Sequence, residues 1–85
     1  LPPSAYFVYI LRCADGTLYI GYTTDLARRV DHHNSSPRGA RYTRSRRPVT
    51  LQYAESFSTL STALKREHAL KRLTRPQKLA LIKSS

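Results

Sequence analysis

At 85 residues with one cysteine, the chain has room for one domain and no internal disulfide framework. Fifteen Lys and Arg against five Asp and Glu leave a net charge of +10, a balance that points to a polyanionic partner, nucleic acid above all. No stretch approaches the ~18 apolar residues of a membrane span, and no helix pattern pairs a basic face with a bulky apolar one, so no membrane partner is expected and the expected setting is the cytoplasm.

Residues 1–5 are expected to form a disordered lead-in to a single domain over 6–83. The first strand, six or seven residues long, alternates Tyr6, Val8 and Ile10 against Phe7, Tyr9 and Leu11. Both faces are largely apolar, so this strand is expected to be central and covered on both sides. An Asp15-Gly16 turn signal separates it from a second strand, Leu18 to Gly21. A two-residue loop would set Tyr9 opposite Tyr22. A three-residue loop, Ala14 to Gly16 with Gly16 left-handed, would pair Leu11 with Tyr19 and Tyr9 with Gly21. Only the second register puts Tyr9 and Tyr19 on one face, and shared chemistry requires it.

Thr24 or Asp25 then caps a helix from about Asp25 to Asn34, with Leu26, Val30 and His33 on its inward stripe and Arg29 beside them. An arginine bordering a buried face needs an anion; Arg28 points more to solvent. Residues Ser35 to Pro48 have no apolar period and carry Arg38, Arg41, Arg44, Arg46 and Arg47 with Tyr42 as the one aromatic. Guanidinium groups there suit phosphate and Tyr42 suits stacking on an exposed base, while the bland reading is a solvated loop.

Val49 to Phe57 reads as a third strand with Val49, Leu51 and Tyr53 on one face. Hydroxyls at Ser58 to Thr62 precede a helix to about Leu73, whose apolar stripe is Leu60, Ala63, Leu64, Leu70 and Leu73. Glu67 falls inside that stripe. A buried carboxylate without a partner is expensive, so Glu67 needs a cation: Arg29 or a metal ion. A last helix, about Arg75 to Lys83 with Thr74 as cap, closes the domain through Leu79 and Ile82. The expected fold is α/β of the α+β kind, a small three-stranded antiparallel sheet flanked by helices in the order β-β-α-β-α-α. With one inward carboxylate a two-metal centre lacks ligands, and the residues support one hard divalent ion.

The stretch from Phe7 to His33 resembles the GIY-YIG nuclease domain, and most closely its short stand-alone members. Tyr19-Ile20-Gly21 matches the second name-giving motif letter for letter, while Phe7-Val8-Tyr9 matches the first at Tyr9 alone. Arg29 stands where the family keeps its catalytic arginine, His33 one turn later, and Glu67 fits the glutamate of a later helix. Tyr22 stands where family members often carry Lys. The resemblance implies metal-dependent phosphodiester hydrolysis with Tyr9, Tyr19, Arg29, His33 and Glu67 converging on one concave patch. In that reading Glu67 holds one Mg²⁺ or Mn²⁺, Arg29 stabilises charge on the phosphate, and Tyr9 or Tyr19 orients or deprotonates the water. His33 either positions that tyrosine or contacts phosphate, and Gly21 lets the nucleic-acid backbone approach. So small a domain has little surface for reading sequence, so structure-selective cleavage, of DNA rather than RNA, or delivery by a protein partner is expected. The rival expectation is a basic nucleic-acid-binding module without chemistry.

Overall fold

The structure, a computed structural model, describes residues 5–35 and 41–84. Most of the expected lead-in, and Arg38 with it, lie outside the described residues; of Arg41 and Tyr42 only the backbone is described. Three strands, β1 (Tyr6–Arg12), β2 (Leu18–Thr23) and β3 (Thr50–Phe57), form one antiparallel sheet in the order β2-β1-β3. The helices are α1 (Leu26–Ser35), α2 (Arg41–Arg44), α3 (Leu60–Lys71) and α4 (Arg75–Ser84). The short α2, a single turn inside the basic stretch, is an addition to the expected order.

β1 is central, as its two apolar faces require. Val8 and Ile10, with Ile20, form one buried layer with Ala63 and Leu70 of α3, into which Leu81 and Ile82 of α4 also pack. Tyr9 and Leu11 form the opposite layer with Cys13 and Val49, covered by Leu26 and Val30 of α1. Each fully buried aliphatic side chain here contributes roughly 1.5–3 kcal/mol. Leu79, expected to close the domain, is instead 38% exposed, and Leu81 takes its place beside Ile82.

The hairpin adopts the three-residue loop. Gly16 has φ of +84°, a left-handed conformation that a side chain would strain. Cys13 N–H donates to the Thr17 carbonyl at 2.8 Å, and Tyr9 pairs with Gly21, Leu11 with Tyr19. In β3 the expected alternation is broken by a register shift, since Ile10 pairs with Tyr53 but Leu11 with Leu51. The extra residue reverses the parity of the strand. Tyr53 therefore joins the α3 layer, Val49 the α1 layer, and Leu51 is 41% exposed.

The helix starts follow the hydroxyl and carboxylate signals. Asp25 Oδ1 accepts from Arg28 N–H at 3.1 Å and starts α1, and Thr59 Oγ1 accepts from Thr62 N–H at 3.2 Å and starts α3. At α4, Thr74 and Gln77 cap one another reciprocally. A bidentate pair between Arg66 and Glu55, with the Tyr53 hydroxyl donating to the same carboxylate, ties α3 to β3. Burial pushes the Glu55 carboxyl up, but Arg66 and Tyr53 together hold it below its ordinary value.

Candidate active site

β1 and β2 make the floor of the site. At Gly21, opposite Tyr9, a Cβ would stand 2.5 Å from the Tyr9 hydroxyl oxygen and 2.8 Å from its Cζ. The phenol lies across the glycine. Tyr9 is 1% exposed, whereas Tyr19, on the same face, is half-buried. The space at Gly21 is thus filled from within, and the lack of a side chain there seats Tyr9.

Helix α1 supplies the next two groups, one turn apart. The Tyr9 hydroxyl lies 3.0 Å from His33 Nε2, and Arg29 Nε donates to the same oxygen at 3.4 Å. His33, fully buried, stands edge-on to both rings, with centroids 6.0 Å from Tyr9 and 5.2 Å from Tyr19. Its other nitrogen, Nδ1, is 2.7 Å from the hydroxyl of Thr43 in α2, which is fully buried as well.

Burial raises the Tyr9 pKa above the usual 10; Arg29 opposes the rise, while the charges of Tyr19 and Glu67 add to it. His33 is held down at about 4, first by burial and then by the charges of Arg29, Arg47 and His32. At neutral pH both rings are uncharged. The chain of contacts Arg29–Tyr9–His33–Thr43 is a neutral path with a cation at one end.

Glu67 comes from the other side of the sheet. α3 packs Ala63 and Leu70 on the face opposite the one that α1 covers. α3 contacts β2, the edge strand, as well as β1, and the Glu67 carboxylate is near enough to Tyr9 for its charge to act on the phenol. Glu67 is 8% exposed, and among the described residues its ion pair is with Lys71 Nζ, at a long 3.8 Å. Lys71 is the cation beside it, although its own side chain stays more than half exposed.

The donor set bears on the expected metal. Among the described residues no group of three or more His, Cys, Asp or Glu gathers to cage an ion. One carboxylate suits a hard ion such as Mg²⁺, which keeps its waters and takes one or two carboxylates plus substrate phosphate. Glu67 is the residue that would hold it.

The basic stretch is partly committed to the protein. Arg46 pairs with Asp15 of the hairpin loop at 3.0 Å, and its carbonyl accepts from Ala14 N–H at 2.9 Å. Arg47 Nε donates to the His33 carbonyl, and Asn34 bonds both the N–H and the carbonyl of Val49. Arg46 and Arg47, expected as phosphate contacts, thus have a structural task in clamping the loop; Arg44 is exposed. Arg29 opens onto a cavity of about 240 Å³ lined also by Thr23, Thr24, Asp25, Arg28 and His32. A larger one, about 480 Å³, lies along α3 beside Leu64, Lys65 and His68, and none of the candidate catalytic residues lines it.

The GIY-YIG catalytic domain family model matches residues 5–80. The chain belongs to the GIY-YIG family. That places it in the endonuclease superfamily and makes the order β-β-α-β-α-α, with α2 inserted, its GIY-YIG core. It is 59% identical over 81 residues to the UPF0213 protein DP2720 of Desulfotalea psychrophila, covering 95% of this chain and 74% of that protein. A UPF0213 protein of Halobacterium salinarum is 55% identical over 74 residues, covering 87% of this chain and 95% of that one. Among solved structures, the UPF0213 protein BH0048 of Bacillus halodurans superposes with a TM-score of 0.62 at 41% identity, over 95% of this chain and 85% of that one. EF2693 of E. faecalis gives 0.64 at 46% identity, over 94% and 84%. Against this GIY-YIG background, Thr43 is the buried polar residue that sequence reasoning missed. It lies ten positions from His33 in a stretch without periodicity, and no local signal marks it.

Proposed function

We propose that the chain is a metal-assisted endonuclease that hydrolyses phosphodiesters in DNA, selecting its substrate by structure rather than by base sequence. The observation that carries this reading is the Tyr9–His33 contact of 3.0 Å beneath Arg29, because it gives the phenolic proton somewhere to go. In the proposed reaction water attacks the scissile phosphorus in line with the leaving oxygen. As the new P–O bond forms, the water proton passes to the Tyr9 oxygen and the Tyr9 proton to His33 Nε2. The P–O bond to the departing alcohol breaks, and that alkoxide takes a proton from solvent.

Raised alone, the Tyr9 pKa makes a poor base, and a His33 held at about 4 makes a poor acceptor. Bound substrate acts on the acceptor. The charges of Arg29 and Arg47 depress His33, and phosphate oxygens beside them offset that field. Arg29, at the cavity beside the N-terminus of α1, is placed to stabilise charge developing on the phosphate. Glu67 would hold Mg²⁺ or Mn²⁺, which supplies further charge neutralisation at the scissile phosphate. Tyr19, more open than Tyr9, borders the same ring and orients the water or the backbone. Arg44, with Arg41, Tyr42 and Arg38, offers the phosphate and stacking contacts beyond the site.

The test is cleavage with Mn²⁺ or Mg²⁺ of labelled branched, nicked, single-stranded and duplex DNA, with matched RNA. The parent is expected to cut a branched or nicked DNA, and Tyr9→Phe to lose about 10²–10⁴ in rate, the usual worth of a positioned acid–base group. Binding without cleavage across the panel would leave the module without chemistry as the function.

A further inference from the structure

Thr43 has no assigned role, yet its hydroxyl is buried completely and stands 2.7 Å from the nitrogen of His33 that faces away from Tyr9. Donor and acceptor counting fixes what that contact must be. Arg29 Nε can only donate, so at that contact the Tyr9 oxygen accepts. The phenol has one proton left, Tyr9 is buried, and the acceptor beside it is His33 Nε2. Nε2 must then present its lone pair. A neutral imidazole carries its one proton on the other nitrogen, so Nδ1–H donates to Thr43 Oγ1.

We propose that Thr43 is a positioning residue that holds His33 in the tautomer with the proton on Nδ1, keeping Nε2 open to receive the proton of Tyr9. The proposal deepens the nuclease reading above and rests on it for its catalytic meaning. Without the Thr43 hydroxyl, Nδ1–H would be buried with one acceptor fewer, and the proton gains a reason to move to Nε2, where it faces the Tyr9 oxygen. That arrangement blocks the transfer.

The placement of Thr43 adds a consequence. It sits in the single turn of α2, between residues of the basic stretch, with its carbonyl accepting from Arg46 N–H at 2.9 Å. Arg46 in turn is bonded to Ala14 and Asp15 of the hairpin, and Arg47 to the His33 carbonyl. The contacts that seat the loop and the one that sets the tautomer of His33 therefore meet at Thr43. A nucleic acid that engages Arg44 acts one residue away from the group that readies the histidine.

Imidazole nitrogen chemical shifts, read by long-range proton–nitrogen correlation on the ¹⁵N-labelled full chain at neutral pH, test this directly. The parent should show His33 as the Nδ1–H tautomer. Thr43→Val, which keeps the shape and removes the hydroxyl, should shift the population toward Nε2–H, and Thr43→Ser should restore the parental spectrum. In cleavage, Thr43→Val should lower kcat by about 10–100-fold with KM little changed, the range typical when a group that fixes a functional histidine's tautomer is lost, and Thr43→Ser should recover most of it. A parent His33 protonated on Nε2, or a Thr43→Val spectrum identical to the parent's, would overturn the proposal, and the first needs no variant at all. Should the parent cleave nothing while the tautomer changes as stated, the nuclease reading fails and the Thr43 assignment stands.

Discussion

Tyr9 and Gly21 occupy one position of the sheet between them: they are directly paired, and the phenol fills the volume that a side chain at 21 would need. The glycine of the Tyr19-Ile20-Gly21 motif is therefore half of a contact whose other half is the tyrosine of the neighbouring strand. Its backbone conformation is not one that excludes side chains, so a substitution there acts through packing alone.

Gly21→Ala places a methyl 2.5 Å from the Tyr9 hydroxyl and forces the ring off His33. Overpacking of this kind costs about 1–3 kcal/mol, and each kcal/mol lowers Tm by about 4–8 °C in a domain of this size. Thermal melting should show that loss, and cleavage should fall further than stability explains because Tyr9 is displaced.

Stability should decline on mild acidification because of His33. In the unfolded chain this histidine takes up a proton near its ordinary 6.5, whereas in the folded protein it resists until about 4. Between those values the unfolded state binds more protons, so stability is complete above about 6.5 and is lost as pH falls toward 4. The loss attributable to His33 is about 1–3 kcal/mol, given roughly 1.4 kcal/mol per unit. Chemical denaturation of the parent and of His33→Gln at several pH values measures it; equal slopes in both would dismiss the effect.

Glu67→Gln separates a metal ligand from a structural partner. The Lys71 contact is long, and one-turn pairs with an exposed member are worth only about 0.3–0.5 kcal/mol, so melting should hardly change. Nucleic-acid binding should be unchanged or tighter, since one negative charge has left a phosphate site. Cleavage with Mn²⁺ should drop by about 10²–10³. A folded variant that cuts at the parental rate would remove Glu67 from the chemistry.

Affinity for nucleic acid should fall with salt at a log–log slope of roughly −0.7 to −0.9 per phosphate contact. Replacing Arg41 and Arg44 by Ala should flatten that slope by about one to two units. Arg46→Ala should act differently, loosening the Asp15 clamp and lowering stability along with affinity. Titrations at several salt concentrations distinguish the two, and an unchanged slope in the first variant would exclude the stretch as a backbone contact.

The sheet was legible in the sequence because its signals are local. The Asp15-Gly16 turn left two registers open, and the requirement that Tyr9 and Tyr19 share a face chose the one that pairs Tyr9 with Gly21. The helix starts were legible for the same reason: Thr74 as a single cap, Asp25 as one of two candidates, and Thr59 within the hydroxyl run Ser58 to Thr62. What escaped depends on distance. The register shift in β3 is set by its partner strand and not by its own alternation, which is why Val49 and Tyr53 fall on opposite faces. The side of the sheet taken by α3 follows from how it packs, which the apolar stripe around Glu67 does not encode. The fixing of His33 by Thr43 joins two stretches whose spacing carries no pattern.

The alternation of β1 bears on how such a protein can be altered. Val8 and Ile10 serve the α3 layer and Tyr9 and Leu11 the α1 layer, so a one-residue insertion in this strand would exchange core and chemistry at once. β3 already accommodates an extra residue at its register shift and presents most of its side chains at or near the surface. Fusion points, reporters and stabilising changes therefore belong on β3 and α4, where the molecule can absorb them without disturbing the tyrosine that the central strand carries.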